Sequence, residues 1–124
     1  MPTVAVIGAS SDRRRFGNKA VRAYVQEGWD VYPVNPKGGT IEGLQAYTTL
    51  AEIPGHVDRV TVYLPPLVAV KALAEIAKIK PDELYINPGA ESDELVAAAE
   101  KLGLDPILAC SIVEIGETPA AYPG

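Results

Sequence analysis

The sequence has one cysteine and one histidine, and each shortage excludes a class of protein. The single Cys110 excludes an internal disulfide and a metal site with several cysteine ligands. The single His56 excludes a metal site with two histidine ligands. No apolar run reaches ~18 residues, and the opening MPTVAVIG lacks the basic region and cleavage site of a signal peptide. We therefore expect a cytoplasmic protein that has no metal site and does not engage a membrane.

Positive charge is scarce and unevenly placed. The formal net charge is −5, which weighs against nucleic-acid binding. Residues 1–50 nevertheless hold six cations against four acids, whereas residues 51–124 hold five cations against twelve acids. This distribution favours a discrete small anion near the cations, although a solvated surface of uneven charge explains the same counts.

Length and composition favour one packed domain over residues 1–124. A chain of 124 residues fits one ordinary domain, and 48% hydrophobic against 22% charged residues is typical of a chain with a buried core. Eleven glycines and eleven prolines predict many tight connections.

Short apolar runs alternate with helical patterns along the chain. The predicted strands cover residues 3–8, 30–34, 59–64, 83–87 and 106–110. The predicted helices cover residues 17–27, 65–79 and 92–102, with Ser92 as a cap and Gly28 and Gly103 as stops. Residues 41–47 are a short extra strand or a loop, and the tail ETPAAYPG is predicted to be loose. The alternation predicts a doubly wound α/β domain with about five mainly parallel strands and helices on both faces.

In such a sheet, ligands bind beyond the carboxyl ends of the strands, so the residues after each strand are informative. Gly8 permits a tight turn after the first strand, and Gly17 permits close packing of the following helix. Ser10, Ser11 and one of three consecutive arginines could join the helix N-terminus in holding a phosphate. A plain turn with an exposed basic loop is the alternative.

The loop is a poor match to a nicotinamide site. Ser10 stands where that motif needs glycine, and the second strand ends in Asn35-Pro36-Lys37 rather than in an acidic residue. Lys37 suits an additional phosphate, such as one on an adenosine ribose. NADP carries such a phosphate, so charge alone does not decide the ligand.

Two later turns reach the same predicted edge. Pro65 and Pro66 could form an apolar wall for an adenine or a pantetheine arm, or simply open a helix. The turn Asn87-Pro88-Gly89 could line the ligand channel or merely connect two elements.

Four segments carry a family resemblance: VIGASSDRRRFGNKAV, GWDVYPVNPKGGTIEGLQAY, VDRVTVYLPP and YINPGAESDELVAAAEKLGL. Together they resemble the small stand-alone CoA-binding domain proteins, over about residues 3 to 115. These proteins are similar to the N-terminal domain of the succinyl-CoA synthetase α subunit and of nucleoside-diphosphate-forming acyl-CoA synthetases.

The resemblance implies a Rossmann-like fold that holds coenzyme A or an acyl-CoA at the strand ends. It implies that Lys37 faces a CoA phosphate and that the prolines flank the nucleotide. The implied binding residues are Gly8, Ser10, Ser11, Arg15, Phe16, Gly17, Asn35, Pro36, Lys37, Pro65, Pro66, Asn87, Pro88 and Gly89.

Relatives that perform ligase chemistry carry a further domain with a phosphorylated histidine and a nucleotide-grasping partner, and this chain contains neither. His56 is predicted to be a surface residue away from the binding edge. Cys110 is predicted to be a small buried hydrophobe, with a mixed disulfide to CoA as the alternative.

The leading hypothesis is therefore a binding module for CoA or a short acyl-CoA, with no catalytic residue on this chain alone. One alternative is the CoA-binding subunit of an acyl-CoA ligase completed by a protein partner. Another is a fragment of an NADP-dependent oxidoreductase. A homo-oligomer is compatible with each.

Overall fold

Strands rich in valine and isoleucine form the centre of the fold. The structure is a computed structural model that describes residues 1–124. The seven strands are β1 (Thr3–Ile7), β2 (Asp30–Val34), β3 (Thr40–Ile41), β4 (Leu44–Gln45), β5 (Arg59–Val62), β6 (Glu83–Ile86) and β7 (Pro106–Leu108). The helices are α1 (Phe16–Gln26), α2 (Pro66–Ile79), α3 (Asp93–Lys101) and α4 (Ser111–Glu114), with single 3-10 turns at Leu50–Glu52 and Pro119–Ala121.

Five of the strands form one parallel sheet in the order β2-β1-β5-β6-β7. From β1 the chain first builds outward to β2 and then crosses to β5 on the other side. The order therefore reverses between β1 and β5, and the carboxyl ends of these two strands mark the switch point at which such folds bind ligands. The predicted doubly wound, Rossmann-like α/β fold is confirmed.

Alternation along the strands divides the core into two layers. Val4 and Val6 of β1 point to the face that α1 covers with Tyr24 and α4 covers with Ile112. The intervening residues, such as Ala5, pack on the opposite face with side chains of α2 and α3. Helices thus cover both faces. None of them has the length and apolar character that crossing a membrane requires.

Local signals fix the helix ends. The Ser92 hydroxyl accepts a hydrogen bond from the Leu95 N–H at 3.0 Å, and Pro66 opens α2. Gly103 follows α3 with φ +78°, which is typical of a helix stop.

Two short segments add detail that the sequence-based expectations did not contain. The segment 41–47 includes parts of a small antiparallel hairpin of β3 and β4, and α4 was not predicted at all.

The prediction that the tail ETPAAYPG is loose is wrong. The Arg22 guanidinium donates to the carbonyls of Tyr122 and Pro123, both at 3.0 Å, and lies 5.6 Å from the centre of the Tyr122 ring. This docking joins residues about a hundred positions apart in the sequence, which local patterns do not reveal.

Candidate functional site

The turn after β1 brings three backbone segments together at the switch point. Gly8 adopts φ +90°, and a Cβ there would overlap the carbonyl of Tyr63 at the end of β5. A Cβ on Gly17, at the start of α1, would overlap the carbonyl of Gly8. Gly8 is therefore required by contact and by conformation, and Gly17 by contact alone.

This turn presents a set of unused backbone donors. Seven N–H groups have no acceptor within the chain: those of Gly8, Ala9, Ser10, Ser11, Arg13, Phe16 and Gly17. The first turn of α1 contains no acidic side chain that would compete for them. Free N–H groups at the positive end of a helix favour a bound phosphate.

Only one of the three consecutive arginines is free of a carboxylate. Arg13 contacts Glu42 at 3.4 Å, and Arg14 binds Asp12 at 3.1 Å. The hydrogen bonds from Arg14 hold the pKa of Asp12 below its usual value. Arg15 is exposed and forms no ion pair, so it is the arginine whose charge remains available.

Asn18 fixes the loop from inside, a role that the sequence analysis missed. Its amide is buried and donates to the Ser10 carbonyl at 2.8 Å and to the Glu42 carboxylate at 3.0 Å. Its carbonyl oxygen accepts from Arg22 at 2.8 Å. An asparagine one turn into a helix is the only local signal for this role.

The end of β2 is tied directly to the first turn. The Asn35 side chain donates to the Ala9 carbonyl at 2.9 Å and accepts from the Lys37 N–H at 2.8 Å. Asn35 therefore holds the two turns together, and both polar atoms of its side chain already form hydrogen bonds within the fold. The Lys37 side chain is exposed and makes no ion pair.

Three adjoining clefts run along the carboxyl edge of the sheet. The largest is about 300 Å³ and is lined by Tyr63, Leu64, Pro65, Pro66, Pro88, Gly89 and Ala90. A second of about 180 Å³ shares Leu64 with it and includes Gly8 and Pro36. A third of about 240 Å³ shares Tyr63 and Pro88 and adds Phe16, Asn87 and Cys110. The shared residues make these clefts one continuous row.

Two polar residues at the junction of the clefts are held by a buried network. The Asn87 amide donates to the Thr61 hydroxyl at 2.6 Å and to the Val62 carbonyl at 2.9 Å, while its oxygen accepts from the Ser111 N–H at 2.9 Å. Asn87 is thus placed by the fold, with little polar capacity left for a ligand. Burial raises the pKa of Tyr63, whose hydroxyl therefore stays protonated at neutral pH.

Cys110 is not the buried residue that the sequence predicts. It is partly exposed and lines the third cleft. The strand β7 ends at Leu108, two residues earlier than expected, so Cys110 falls in the turn at the edge rather than within the sheet.

The structure thus brings eight of the fourteen predicted residues into the clefts: Gly8, Phe16, Pro36, Pro65, Pro66, Asn87, Pro88 and Gly89. The other six flank them on the two turns: Ser10, Ser11, Arg15, Gly17, Asn35 and Lys37. Tyr63 was missed because a tyrosine after a strand carries no specific signal. His56 is exposed, as predicted, and lies at the opposite end of the sheet, before β5.

Comparison with known proteins agrees with this geometry. A model of the CoA binding domain matches residues 2–116. The chain belongs to the CoA-binding domain family. The match spans both turns and all three clefts, so the described edge is part of the family's common domain.

The CoA-binding domain is also similar to parts of larger proteins. It is 32% identical to the α subunit of ADP-forming acetate–CoA ligase II from Pyrococcus furiosus, over 82% of this chain and 24% of that subunit. The α subunit of ligase I from the same organism is 31% identical over 95% of this chain and 29% of its own length. The chain therefore spans less than a third of the length of each of these curated relatives.

Solved structures share the fold. A conserved hypothetical protein from Pyrococcus furiosus superposes with a TM-score of 0.83 at 32% identity, covering 92% of this chain and 99% of that one. The dinucleotide-forming acetyl-coenzyme A synthetase 1 of Ca. Korarchaeum cryptofilum gives 0.71 at 25% identity, over 85% of this chain and 25% of that one.

Proposed function

We propose that this CoA-binding domain holds coenzyme A or a short acyl-CoA along the carboxyl edge of its sheet. The observation that carries the proposal is the set of unpaired N–H groups at the β1–α1 turn, which lies beside a continuous row of clefts. CoA combines a diphosphate and a ribose phosphate with two apolar parts, the adenine and the pantetheine arm. The carboxyl edge of the sheet offers hydrogen-bond donors and free cations beside apolar walls. This combination matches the charged and apolar parts of CoA.

Each part of CoA has a candidate partner. The N–H groups of the turn and the free Arg15 would hold the diphosphate, with the serine hydroxyls of Ser10 and Ser11 beside them. Lys37 would meet the ribose phosphate. The apolar parts would lie against Pro65, Pro66 and Pro88, whose rings offer flat surfaces without donors.

We further propose that the chain alone performs no covalent step. General acid–base or nucleophilic catalysis needs a positioned group with an available proton or lone pair. The Asn35 and Asn87 amides are already used within the fold, and the Tyr63 hydroxyl hydrogen-bonds only with the Ser111 hydroxyl, at 3.4 Å, with no carboxylate or imidazole beside it. The chain would then act as a holder of the coenzyme, working in the cytoplasm where CoA is used.

Calorimetric titration of ligand-free protein tests the binding. CoA and acetyl-CoA should bind with micromolar affinity, dephospho-CoA more weakly, and NAD not measurably. Comparable binding of NADP would contradict the CoA assignment and favour the oxidoreductase alternative. Failure of every CoA species to bind would overturn the proposal.

Membership of a larger ligase is a second candidate function. The two ligase relatives carry "subunit alpha" in their names, and this chain matches only part of each. Four apolar side chains on the segments that follow the strands or end one are exposed: Phe16 and Leu67 in the first turns of α1 and α2, Leu108 at the end of β7, and Val113 in α4. We propose that a protein partner covers this apolar rim and supplies the nucleotide-binding and histidine-bearing parts.

Affinity purification from the source cells, with and without CoA, tests the partner. It should recover a polypeptide with a nucleotide-binding domain, and the Leu108→Asp variant should recover less of it while still binding CoA. Recovery of no such polypeptide would leave the chain as a free-standing holder.

A further inference from the structure

A second group of chemically active side chains lies at the amino edge of the sheet, opposite the clefts. His56 and Asp58 lie just before β5, and Asp82 lies just before β6. The parallel register pairs Arg59 with Glu83, which places the preceding residues, Asp58 and Asp82, side by side. The Glu83 N–H donates to the Asp58 carbonyl at 3.0 Å and fixes this arrangement.

Three donor atoms converge there. The His56 Nε2 atom is 3.3 Å from the Asp82 Oδ1 atom and 3.9 Å from the Asp58 Oδ1 atom. All three donor atoms lie within 4.8 Å of one another. A tetrahedral ion with ligand bonds of about 2.0–2.2 Å separates its ligands by roughly 3.3–3.6 Å. The cluster is therefore close to the spacing that one such ion requires.

Asp58 is oriented toward this cluster by a neighbouring strand. Its other oxygen, Oδ2, accepts from the Thr3 N–H at 2.8 Å and lies 3.1 Å from the Thr3 hydroxyl. These contacts hold Oδ2 and leave Oδ1 to face His56. An outer partner that holds a carboxylate in place is a usual companion of a metal ligand.

We propose that His56, Asp58 and Asp82 bind one divalent transition-metal ion, such as Zn²⁺, with water in the remaining position. An imidazole among the ligands favours Zn²⁺ and its neighbours over Mg²⁺ or Ca²⁺, which prefer oxygen ligands alone. The ion would also relieve the repulsion between the two adjacent carboxylates. It would fasten the loop before β5 to the connection between α2 and β6, and so act on stability rather than on CoA binding.

The sequence concealed this site because its ligands are distant along the chain. Asp82 is 26 residues from His56, and no regular metal-binding spacing links them. The simpler account of the same contacts is a His56 side chain that pairs with two acids and binds no metal. The two accounts differ in what happens when Zn²⁺ is added.

Calorimetric titration of untagged protein with Zn²⁺ tests the proposal, with Asp82→Asn as the variant. Asp82 is exposed and its carboxylate contacts only His56, so its loss should leave the fold intact. The Asp105→Asn variant is the matched control because Asp105 is exposed, precedes β7 at the same edge and lies outside the cluster. Wild type and Asp105→Asn should each bind one Zn²⁺ ion per chain. The affinity of Asp82→Asn for Zn²⁺ should be lower by about tenfold or by a larger factor.

Two further measurements make the result unambiguous. Zn²⁺ should raise the melting temperature of wild type and Asp105→Asn but not of Asp82→Asn. Co²⁺ used as a probe should give the visible bands of a tetrahedral site without a sulfur charge-transfer band. Equal Zn²⁺ affinity in both variants, no binding to wild type, or a sulfur band from Cys110 would each overturn the proposal. CoA titration of each variant confirms that the fold is retained.

Discussion

At the scale of single residues, the important difference is between cations that are paired and cations that are free. Arg13 and Arg14 are held by carboxylates of the loop or the hairpin, whereas Arg15 and Lys37 are exposed and unpaired. A ligand phosphate gains more from a free cation, because a paired one must first give up its carboxylate. Sequence alone could not separate three adjacent arginines, since their partners lie in the folded loop.

We expect Lys37→Ala to weaken CoA binding by about 1–3 kcal/mol, the usual contribution of one charge-assisted contact. Dephospho-CoA lacks the ribose phosphate, so its affinity should barely change. Calorimetric titration of both ligands measures the difference. Lys101→Ala is a suitable control because Lys101 is exposed at the end of α3, away from the clefts. Equal weakening of both ligands would show that Lys37 does not face that phosphate.

The arginines give a paired prediction. Arg15→Ala should lower the affinity for CoA roughly tenfold, whereas Arg14→Ala should change it much less because its charge is already neutralised by Asp12. Both residues are exposed, so neither substitution should alter the melting temperature greatly. A larger loss of CoA affinity in Arg14→Ala would mean that the ligand displaces Asp12.

At the scale of elements, the β1–α1 turn depends on the absence of a side chain. Alanine has a higher helix propensity than glycine. Helix propensity alone would therefore make Gly17→Ala a stabilising substitution. The clash with the Gly8 carbonyl reverses this, and we expect a loss of about 1–3 kcal/mol in the free energy of unfolding. Urea denaturation measures it.

Gly55→Ala measures the cost of backbone strain without the cost of a steric overlap. Gly55 has φ +78° but open space around it, so its substitution should cost roughly 1–2 kcal/mol from backbone strain alone and leave CoA binding unchanged. Gly17→Ala should in addition weaken CoA binding, because the turn must open. Unchanged binding in Gly17→Ala would mean that the turn does not contact the ligand.

The main strands and helices were predictable because their signals are local. Continuous β-branched runs gave β1 and β5, and Ser92 and Gly103 marked the ends of α3. The pattern of residues 41–47 is compatible with either a strand or a loop, because strands of two residues, such as β3 and β4, are too short to show a period. Asn18, Tyr63 and the docking of Tyr122 depend on contacts between distant segments, so the local pattern could not reveal them.

At the scale of the molecule, the two ends of the sheet have different tasks. The carboxyl edge is open and holds the clefts, whereas the amino edge contains the buried Arg59 between Glu83 at 2.8 Å and Glu114 at 2.5 Å. Burial lowers the pKa of Arg59, but the hydrogen bonds that Arg59 donates to these acids and to Tyr24 outweigh it and leave the pKa raised. The rings of Trp29 and Tyr85 enclose the guanidinium within 5 Å of their centres. The fold is thus fastened at the end of the sheet that lies away from the clefts.

Stability should fall in acid, because several carboxylates are hydrogen-bonded in the folded state. The Thr48 hydroxyl and the N–H groups of Thr48 and Thr49 lower the pKa of Glu52, and the pKa values of Asp12 and Asp58 are also lowered. A lowered folded-state pKa stabilises the protein above the unfolded value of about 4, and this contribution is lost as the pH falls. Glu117 raises the pKa of Glu27, so Glu27 changes the stability with pH in the opposite direction. It is one carboxyl group against the three whose pKa values are lowered.

The urea midpoint should therefore be nearly constant between pH 7 and about pH 5 and should decline below pH 4. Glu52→Gln removes one titrating group, so its decline should be shallower than that of wild type. Glu94→Gln is the control, since Glu94 is exposed and accepts no hydrogen bond. An equally steep decline in Glu52→Gln would assign the acid sensitivity to other carboxyls.

The docking of the last residues through Arg22 has a practical consequence. Arg22 also donates to the Arg13 carbonyl at 2.9 Å, and Gly124 packs against Arg14, so the tail rests on the arginine loop itself. A fluorophore attached at Gly124 would sit within reach of an arriving phosphate. The labelled protein would then report the proposed binding of CoA as an optical signal, with no substitution among the proposed binding residues.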